Sequence, residues 1–193
     1  MRSSFNFTAR SILPARVASR ILGSSAARNF FRSAQAHNSV VLDDAEPLAL
    51  TSELFHLPGR DEAWPVVELA GDAWAFTRSL PGSFEHRRTV RLAEDGLIIR
   101  DELGARGRHE AKWRFHLHPD WSATVREGGF DLVSTGGGKL RLSTVVEGAS
   151  LRLAVVPGRF SAAYGRECPI RVCEARVSGS MPLVEEWRLR SSR

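Results

Sequence analysis

Residues 89–101 read TVRLAEDGLIIRD, two runs of strand-forming residues on either side of an acidic turn. The Asp95-Gly96 step between these alternating runs is a strong local signal for a β-hairpin. Turn signals recur along the chain at intervals of about 8–12 residues, a spacing typical of antiparallel sandwiches and barrels. Strands are predicted at residues 40–42, 89–92, 97–101, 111–117, 130–133, 140–146, 151–156, 170–177 and 184–189.

No segment after residue 30 carries a helical hydrophobic period, so the sequence predicts an all-β fold, an antiparallel β-sandwich. Two of the predicted turns, Pro157-Gly158 and Ser178-Gly179, contain residues that often interrupt strands. Residues 57–65 are predicted as a loop. Nothing in the composition divides residues 29–193, so we expect them to form one domain.

The basic charge of the chain is confined to its first part. The chain has 193 residues and a formal net charge of +5, yet residues 1–42 carry six arginines and no acidic residue. That leaves 21 basic and 22 acidic side chains on residues 43–193, a balance that argues against a nucleic-acid partner. No apolar run approaches the roughly 20 residues that span a bilayer, so no transmembrane segment is predicted.

Residues 1–28 are predicted to be a leader. Their richness in arginine, serine and alanine and their lack of acids are compatible with an organellar transit peptide. A secretory signal would have a compact apolar core, which this segment lacks. The alternative, which we favour, is a poorly ordered leader or an internal start within a longer protein.

Histidines supply the first candidates for chemistry. His37 lies where a basic, polar stretch meets a predicted strand, a place suited to binding a metal or a charged substrate. His116 and His118 form an H-x-H pair on one predicted strand face, which is a two-ligand metal arrangement. The alternatives are a turn role for His37 and, for the pair, a solvated polar face shared with Lys112 and Arg114.

The cluster His86, Arg87 and Arg88 is the candidate for substrate binding. Imidazolium and guanidinium groups suit carboxylate and sulfate oxygens, so the cluster is predicted to bind an anionic substrate. The alternative is a charged group at a strand edge.

Tyr164 and the two cysteines carry weaker signals. Tyr164, the one tyrosine of the chain, is a candidate base, although a hydrogen-bonded role in its turn is the favoured alternative. Cys168 and Cys173 are five residues apart on one predicted strand, so they point to opposite faces and no mutual disulfide is expected.

Several segments together resemble the C-terminal part of the heparinase II/III-like polysaccharide lyases. The first is Arg32-Ser33-Ala34-Gln35-Ala36-His37-Asn38-Ser39-Val40-Val41-Leu42-Asp43, which is similar to the family stretch R-S-T-x-A-H-N-T-V-x-V-D. The later ones are His86-Arg87-Arg88, Arg100-Asp101-Glu102-Leu103, His116-Leu117-His118-Pro119, Tyr164-Gly165 and Met181-Pro182. Together they cover about residues 28–190, and their common order is more specific than any one of them.

The resemblance implies the β-sandwich that follows an (α/α) toroid in these lyases. It implies β-elimination at a uronic acid of an acidic polysaccharide such as heparin, heparan sulfate or alginate. His37 corresponds to a histidine that binds zinc in several members, together with a second histidine and an aspartate. The implied location is the periplasm, the cell envelope or the exterior.

The chain departs from the family pattern in two ways. No histidine or aspartate precedes His37, so the implied zinc site is incomplete. No segment corresponds to the toroid with its catalytic residues, and none of the residues named above is assigned a catalytic role. We therefore expect a domain that is inactive alone, with a separate toroid-bearing chain as the candidate partner. The alternative is a non-catalytic module that binds acidic glycans.

Overall fold

The computed structural model describes residues 25–47, 50–51, 66–80, 84–144, 150–163 and 166–192. It begins with a helix, α1, at Ser25–Arg32 and a 3₁₀ turn at Ala34–Ala36. Strands follow at β1 Val40–Leu42, β2 Val66–Ala70, β3 Ala73–Leu80, β4 Phe84–Ala93, β5 Gly96–Gly104 and β6 Arg108–His116. The remaining strands are β7 Trp121–Arg126, β8 Gly129–Ser134, β9 Lys139–Thr144, β10 Ser150–Ala163, β11 Arg166–Ser180 and β12 Leu183–Ser191.

The strands form two antiparallel sheets, which confirms the predicted sandwich. The smaller sheet has the order β1-β6-β11-β10, and the larger has the order β2-β3-β4-β5-β12-β9-β8-β7. The predicted hairpin is β4–β5, in which Ala93 pairs with Gly96 across a two-residue loop. Gly96 is required there because a Cβ atom would lie 2.0 Å from the carbonyl oxygen of Leu189.

The core lies between the sheets and is built from the alternating faces that the sequence predicts. Ala111, Trp113 and Phe115 of β6 all point into it. Trp187 of β12 meets them from the larger sheet, with its ring centroid 5.1 Å from that of Phe115 and 6.3 Å from that of Trp113. Both tryptophans are fully buried, so they fix the spacing between the two sheets.

Strands β10 and β11 are longer than predicted because Pro157-Gly158 and Ser178-Gly179 are not turns. Pro157 lies within β10, at the edge of the smaller sheet, where a residue without an N–H group is tolerated. Gly158 also stays in the strand, where a Cβ atom would lie 2.5 Å from Cγ2 of Val172. The glycine marks a close approach of neighbouring strands and not a reversal of the chain.

Residues 25–39 and 43–47, on either side of β1, form a partial third layer on the molecule, the N-terminal layer. Ala34 and Gln35 of the 3₁₀ turn and Asp44 of the following turn lie against Lys112 and Arg114 on the outer face of the smaller sheet. Helix α1 is anchored through Phe30, whose ring lies 4.0 Å from the guanidinium carbon of Arg159 on β10. The prediction that Lys112 and Arg114 share a solvated face is therefore wrong, since Lys112 is buried.

Some predictions fall on residues that the structure does not describe. They are the loop at 57–65, the turn of Tyr164, the last two residues of the strand predicted at 140–146, and residues 1–24 of the predicted leader. Helix α1 begins within the last four residues of that leader and continues past its predicted boundary at residue 28.

Candidate functional site

A buried ionic network lies between the two sheets, with Asp101 of β5 at its centre. His86 Nε2 donates to Asp101 Oδ1 over 2.7 Å, and Trp113 Nε1 donates to Oδ2 over 2.8 Å. Arg88 binds the same carboxylate in a bidentate manner, with Nε 2.6 Å from Oδ1 and Nη2 2.8 Å from Oδ2. Asp101, His86 and Trp113 are 0% exposed and Arg88 is 6% exposed, so the network is sealed from solvent.

The hydrogen bonds to Asp101 decide its charge. Burial alone would raise the pKa of this carboxyl. The hydrogen bonds from His86 and Arg88, together with the positive charge of Arg88, outweigh burial and lower the pKa to about 2. Asp101 is therefore ionised at neutral pH and is the counter-ion of the buried guanidinium of Arg88.

Asn38 joins this network to the N-terminal layer and to the smaller sheet. Its carbonyl oxygen accepts a 2.7 Å hydrogen bond from Nη1 of Arg88. Its side-chain oxygen accepts a 2.7 Å hydrogen bond from the backbone N–H of His116. Four of the segments that carry the family resemblance, around Asn38, His86, Asp101 and His116, therefore meet at one place in the fold.

The three predicted substrate-binding residues lie in different environments. His86 and Arg88 point inward and are engaged by Asp101, so neither presents its side chain to a ligand at the surface. Arg87 points to the outer face of the larger sheet, where its Nη1 donates to Thr77 Oγ1 over 3.3 Å. A contact of the cluster with an acidic glycan stays a prediction, and burial confines it to Arg87. The alternative of a strand-edge group is wrong, because β4 lies between β3 and β5.

The three candidate metal-binding histidines are used to hold the N-terminal layer or a turn. His37 Nε2 donates to the carbonyl oxygen of Phe31 over 3.0 Å. His116 Nε2 donates to the carbonyl oxygen of Gln35 over 3.0 Å, and burial lowers the pKa of His116. Strand β6 ends at His116, so His118 lies outside it, exposed and 3.3 Å from Asp120.

Within the described part of the chain, His37 is not joined by the second histidine and the aspartate that the resemblance implies. Within the ranges that the structure describes, no three His, Cys, Asp or Glu side chains are grouped as metal ligands. A closed zinc site needs about four ligands, most of them from the protein. Zinc binding by His37 stays a prediction.

A second buried acid, Glu185 of β12, lies near the network. It is 2% exposed and accepts a short hydrogen bond from the hydroxyl of Thr144. Burial, and next the negative charge of Asp101, raise the pKa of Glu185 to about 8. At neutral pH the inter-sheet space therefore holds one ionised and one protonated carboxyl.

Neither Asp101 nor Glu185 is among the predicted site residues, although the sequence carries a signal for both. Asp101 has the same parity in β5 as Ile99 and Leu103, and Glu185 has the parity of Trp187 and Leu189 in β12. A charged residue on an otherwise apolar face indicates a buried partner. That partner lies on another strand, which the parity alone does not identify.

The described residues contain no helix that is long and apolar enough to cross a membrane. The two cysteines are free in the structure, Cys173 in the core and Cys168 partly exposed. Burial raises the pKa of the Cys173 thiol to about 12, so this thiol is held in its unreactive, protonated form.

The chain is similar in fold to several solved lyases. A heparan sulfate lyase from Pedobacter heparinus matches with a TM-score of 0.63 and 14% identity, over 86% of this chain and 26% of that one. One heparinase III structure matches with a TM-score of 0.64 and 12% identity, over 88% and 26% of the two chains. Another matches with a TM-score of 0.60 and 18% identity, over 86% and 25%.

This chain therefore spans about a quarter of the length of the solved structures that it matches. At these identities the likeness shows the fold. No curated protein matches the chain in sequence. The family model described as heparinase II/III-like, C-terminal, matches residues 16–184, from within the predicted leader to β12. Because that match covers most of the chain, the protein belongs to the heparinase II/III-like C-terminal family.

Proposed function

We propose that this chain is the sandwich domain of a polysaccharide lyase that cleaves a uronic-acid-containing polysaccharide by β-elimination. The observation that carries the proposal is the family match over residues 16–184. The similar solved structures are a heparan sulfate lyase and heparinases, which favours a glycan of the heparan sulfate type. Those proteins are more than three times as long, so we assign the catalytic groups to a helical domain on a separate chain or on a longer form of this protein.

The chemistry of the reaction supports the assignment of the catalytic groups to a domain other than the sandwich. β-Elimination requires a cation to neutralise the uronate carboxylate, a base to remove the C5 proton and an acid at the leaving oxygen. In the sandwich, His86 and Arg88 already bind Asp101, and the thiol of Cys173 is protonated and buried. These side chains therefore stabilise the sandwich and take no part in the elimination. We expect no elimination by the chain alone.

Incubation with heparan sulfate, heparin and alginate tests the proposal, with the ultraviolet absorbance of unsaturated uronate as the measurement. The chain alone is expected to give no signal, and a mixture with a toroid-bearing lyase chain that lacks its own sandwich is expected to give one. Rapid turnover by the chain alone would place catalytic groups on the sandwich and defeat this assignment. Failure of every such mixture would remove the lyase function.

A second candidate function is non-catalytic binding of acidic glycans, favoured by the outward position of Arg87. Heparin-affinity chromatography tests it with Arg87→Ala and, as the matched control, Arg100→Ala, whose guanidinium pairs with Glu102 on the same face. Binding predicts earlier elution of Arg87→Ala at lower salt, with the control nearly unchanged. Equal elution of the two variants would show a general charge effect without a site.

Zinc binding by His37 is a separate proposal. Because His37 is not grouped with two further ligands in the described chain, we expect weak or no retention of zinc through dialysis. Metal analysis of the dialysed protein and of His37→Ala measures this. One zinc per chain that disappears in the variant would establish a site that includes His37.

A further inference from the structure

A cavity of about 340 Å³ lies on the outer face of the smaller sheet, beneath the N-terminal layer. Its polar lining consists of Gln35, Asp44, Glu46, Lys112 and Arg114, and the rest is apolar. The volume is at the lower end of the range of small-molecule sites, which suits one compact ligand. Neither the network around Asp101 nor the predicted glycan contact of Arg87 uses this cavity.

The floor of the cavity holds a buried cation. Lys112 is 3% exposed, although lysine is almost never fully buried unless it is paired. Burial, and then the charges of Arg176 and Arg114, lower the pKa of Lys112 below its usual value. Among the described residues, its ammonium group forms an ion pair with one carboxylate, that of Asp44.

The partner of Lys112 is far more exposed than Lys112 itself, and its second carboxylate oxygen lies 4.0 Å from Nη1 of Arg176, at the outer limit of an ion pair. The side chain of Asp44 is 60% exposed and belongs to a surface turn, where its φ of 57° is uncommon for a residue other than glycine. The preceding residue, Asp43, is fixed by His109 and by the backbone N–H of Glu110. The carboxylate of Asp44 can therefore leave the cavity by a change in a side chain and a turn, without any change in the sheet.

Two other polar side chains of the cavity, Arg114 and Glu46, are held in place around Lys112. The Nε of Arg114 donates to Glu174 Oε2 over 3.1 Å, which holds the guanidinium at the wall. Both carboxylate oxygens of Glu46 accept from the backbone N–H of Ala34, at 3.1 and 3.0 Å. Once Asp44 has left, the cavity presents one uncompensated ammonium beside fixed donors and acceptors, a set that matches a carboxylate attached to a ring of hydroxyls.

We propose that this cavity binds one carboxylate-bearing sugar unit, a hexuronate, whose carboxylate replaces that of Asp44 on Lys112. The choice of a hexuronate rests on the proposed function, whereas the site itself rests on the cavity and on Lys112. Asp44 acts as an internal competitor. The apparent affinity is then the intrinsic affinity reduced by the fraction of molecules in which the turn is open.

The chain has only two lysines, Lys112 and Lys139, which allows a direct test. In protein labelled with ¹³C at the lysine ε-carbon, D-glucuronate is expected to shift the Lys112 signal saturably and to leave the exposed Lys139 signal in place. D-Glucose, which lacks the carboxylate, is expected to shift neither. If acetate bound as tightly as glucuronate, the sugar would contribute nothing and the proposal of a sugar site would be overturned.

Variants separate the site from general effects. Asp44→Asn keeps the shape of the turn and removes the competing charge, so glucuronate is expected to bind about 3- to 10-fold more tightly. Lys112→Met is expected to abolish binding, with Lys139→Met as the matched control. Because Lys112→Met could fail to fold, Asp44→Asn is the decisive variant. Unchanged or weaker glucuronate binding by a folded Asp44→Asn protein would overturn the proposal.

Failure of this proposal differs from failure of the proposed function. If the mixture with a toroid-bearing chain is active but glucuronate does not shift the Lys112 signal, the proposal of a cavity site is overturned and the lyase function is kept. A saturable shift without any elimination by complemented mixtures would remove the lyase function and leave the site.

Discussion

At the scale of single residues, Asp101 shows how a motif residue can be structural. One carboxylate receives hydrogen bonds from His86, Arg88 and Trp113, which come from both sheets. A buried ion pair contributes little relative to apolar packing, but the loss of one partner leaves an uncompensated charge. Asp101 is therefore required as the counter-ion of the buried Arg88 guanidinium.

Asp101→Asn is expected to lower the free energy of unfolding by roughly 3–5 kcal/mol, because Arg88 stays buried without its counter-ion. Urea unfolding followed by tryptophan fluorescence measures the change. Asp95→Asn is the matched control: Asp95 pairs with Arg190 on the surface, where both side chains are about half exposed. Its loss is expected to cost less than about 1 kcal/mol. Equal costs for the two variants would contradict the role given to the buried network.

Glu185 presents the opposite case, a carboxyl whose charge is disfavoured. Its usual pKa of 4.5 is raised to about 8 in the fold, so the folded chain keeps a proton that the unfolded chain loses as the pH rises between those values. Glu185→Gln is expected to stabilise the protein by roughly 2–4 kcal/mol at pH 7 and to have little effect below pH 4.5. Unfolding curves at several pH values measure this, with Glu186→Gln, on the outer face, as the control.

At the scale of elements, the turn after β1 is held to β6 by a titrating pair. His109 Nδ1 lies 2.6 Å from Asp43 Oδ2, and His109 Nε2 lies 2.7 Å from the carbonyl oxygen of Arg106. Both ring nitrogens face acceptors, which favours the imidazolium form. The bond with Asp43 raises the pKa of His109 above 6.5, and the same bond lowers the pKa of Asp43 below 3.8.

The stabilisation by this pair is expected to be complete only between pH 3.8 and pH 6.5, the ordinary pKa values of the two side chains. It is lost as the pH rises through the raised pKa of His109 and as the pH falls through the lowered pKa of Asp43. The stability difference between the natural chain and His109→Gln should therefore be largest near pH 5–6 and should shrink towards pH 9. His118→Gln, which changes an exposed histidine, should show little difference throughout. A constant offset for His109→Gln would mean that packing against Phe84, and not charge, is lost.

The β10–β11 hairpin depends on the absence of a side chain at Gly158. A methyl group there would meet Cγ2 of Val172 at 2.5 Å and Cγ1 of Ile170 at 3.2 Å. Gly158→Ala is expected to destabilise the fold by about 1–3 kcal/mol through overpacking. Addition of Val172→Ala should recover part of that loss, which a double-mutant cycle on unfolding free energies detects. Strict additivity of the two changes would contradict the close contact.

The sequence predicts the elements better than it predicts the contacts between them. Alternation and turn residues identify β4, β5, β6 and the sandwich because these signals are local. The burial of Lys112 depends on a layer that comes from residues 34–46, far away in the sequence, and alternation contains no information about it. For the same reason His86 and Arg88 look like a surface cluster until their partner, Asp101, is placed beside them by the β4–β5 register.

At the scale of the whole molecule, three layers meet at one residue, Asn38. Its carbonyl oxygen binds Arg88 of the larger sheet and its side chain binds the N–H of His116 in the smaller sheet, while the residue itself belongs to the N-terminal layer. The segment that carries the resemblance to the lyase family therefore also closes the sandwich. The N-terminal layer should be able to detach from the two sheets locally, without global unfolding of the sandwich.

Asn38→Ala removes the hydrogen bond from the backbone N–H of His116, together with the 3.1 Å contact to its ring Nδ1, and keeps the carbonyl bond to Arg88. We expect a loss of about 1 kcal/mol in global stability, the usual contribution of one partly exposed hydrogen bond. We expect a larger effect on amide hydrogen exchange, which should speed up in residues 34–39 and 43–46 and at His116 while the β8–β9 hairpin keeps its protection. Gln35→Ala is the matched control, because His116 uses only the backbone carbonyl of Gln35. If exchange sped up equally in β8–β9, the N-terminal layer would open only together with the sandwich, and the layer would be part of the cooperative core.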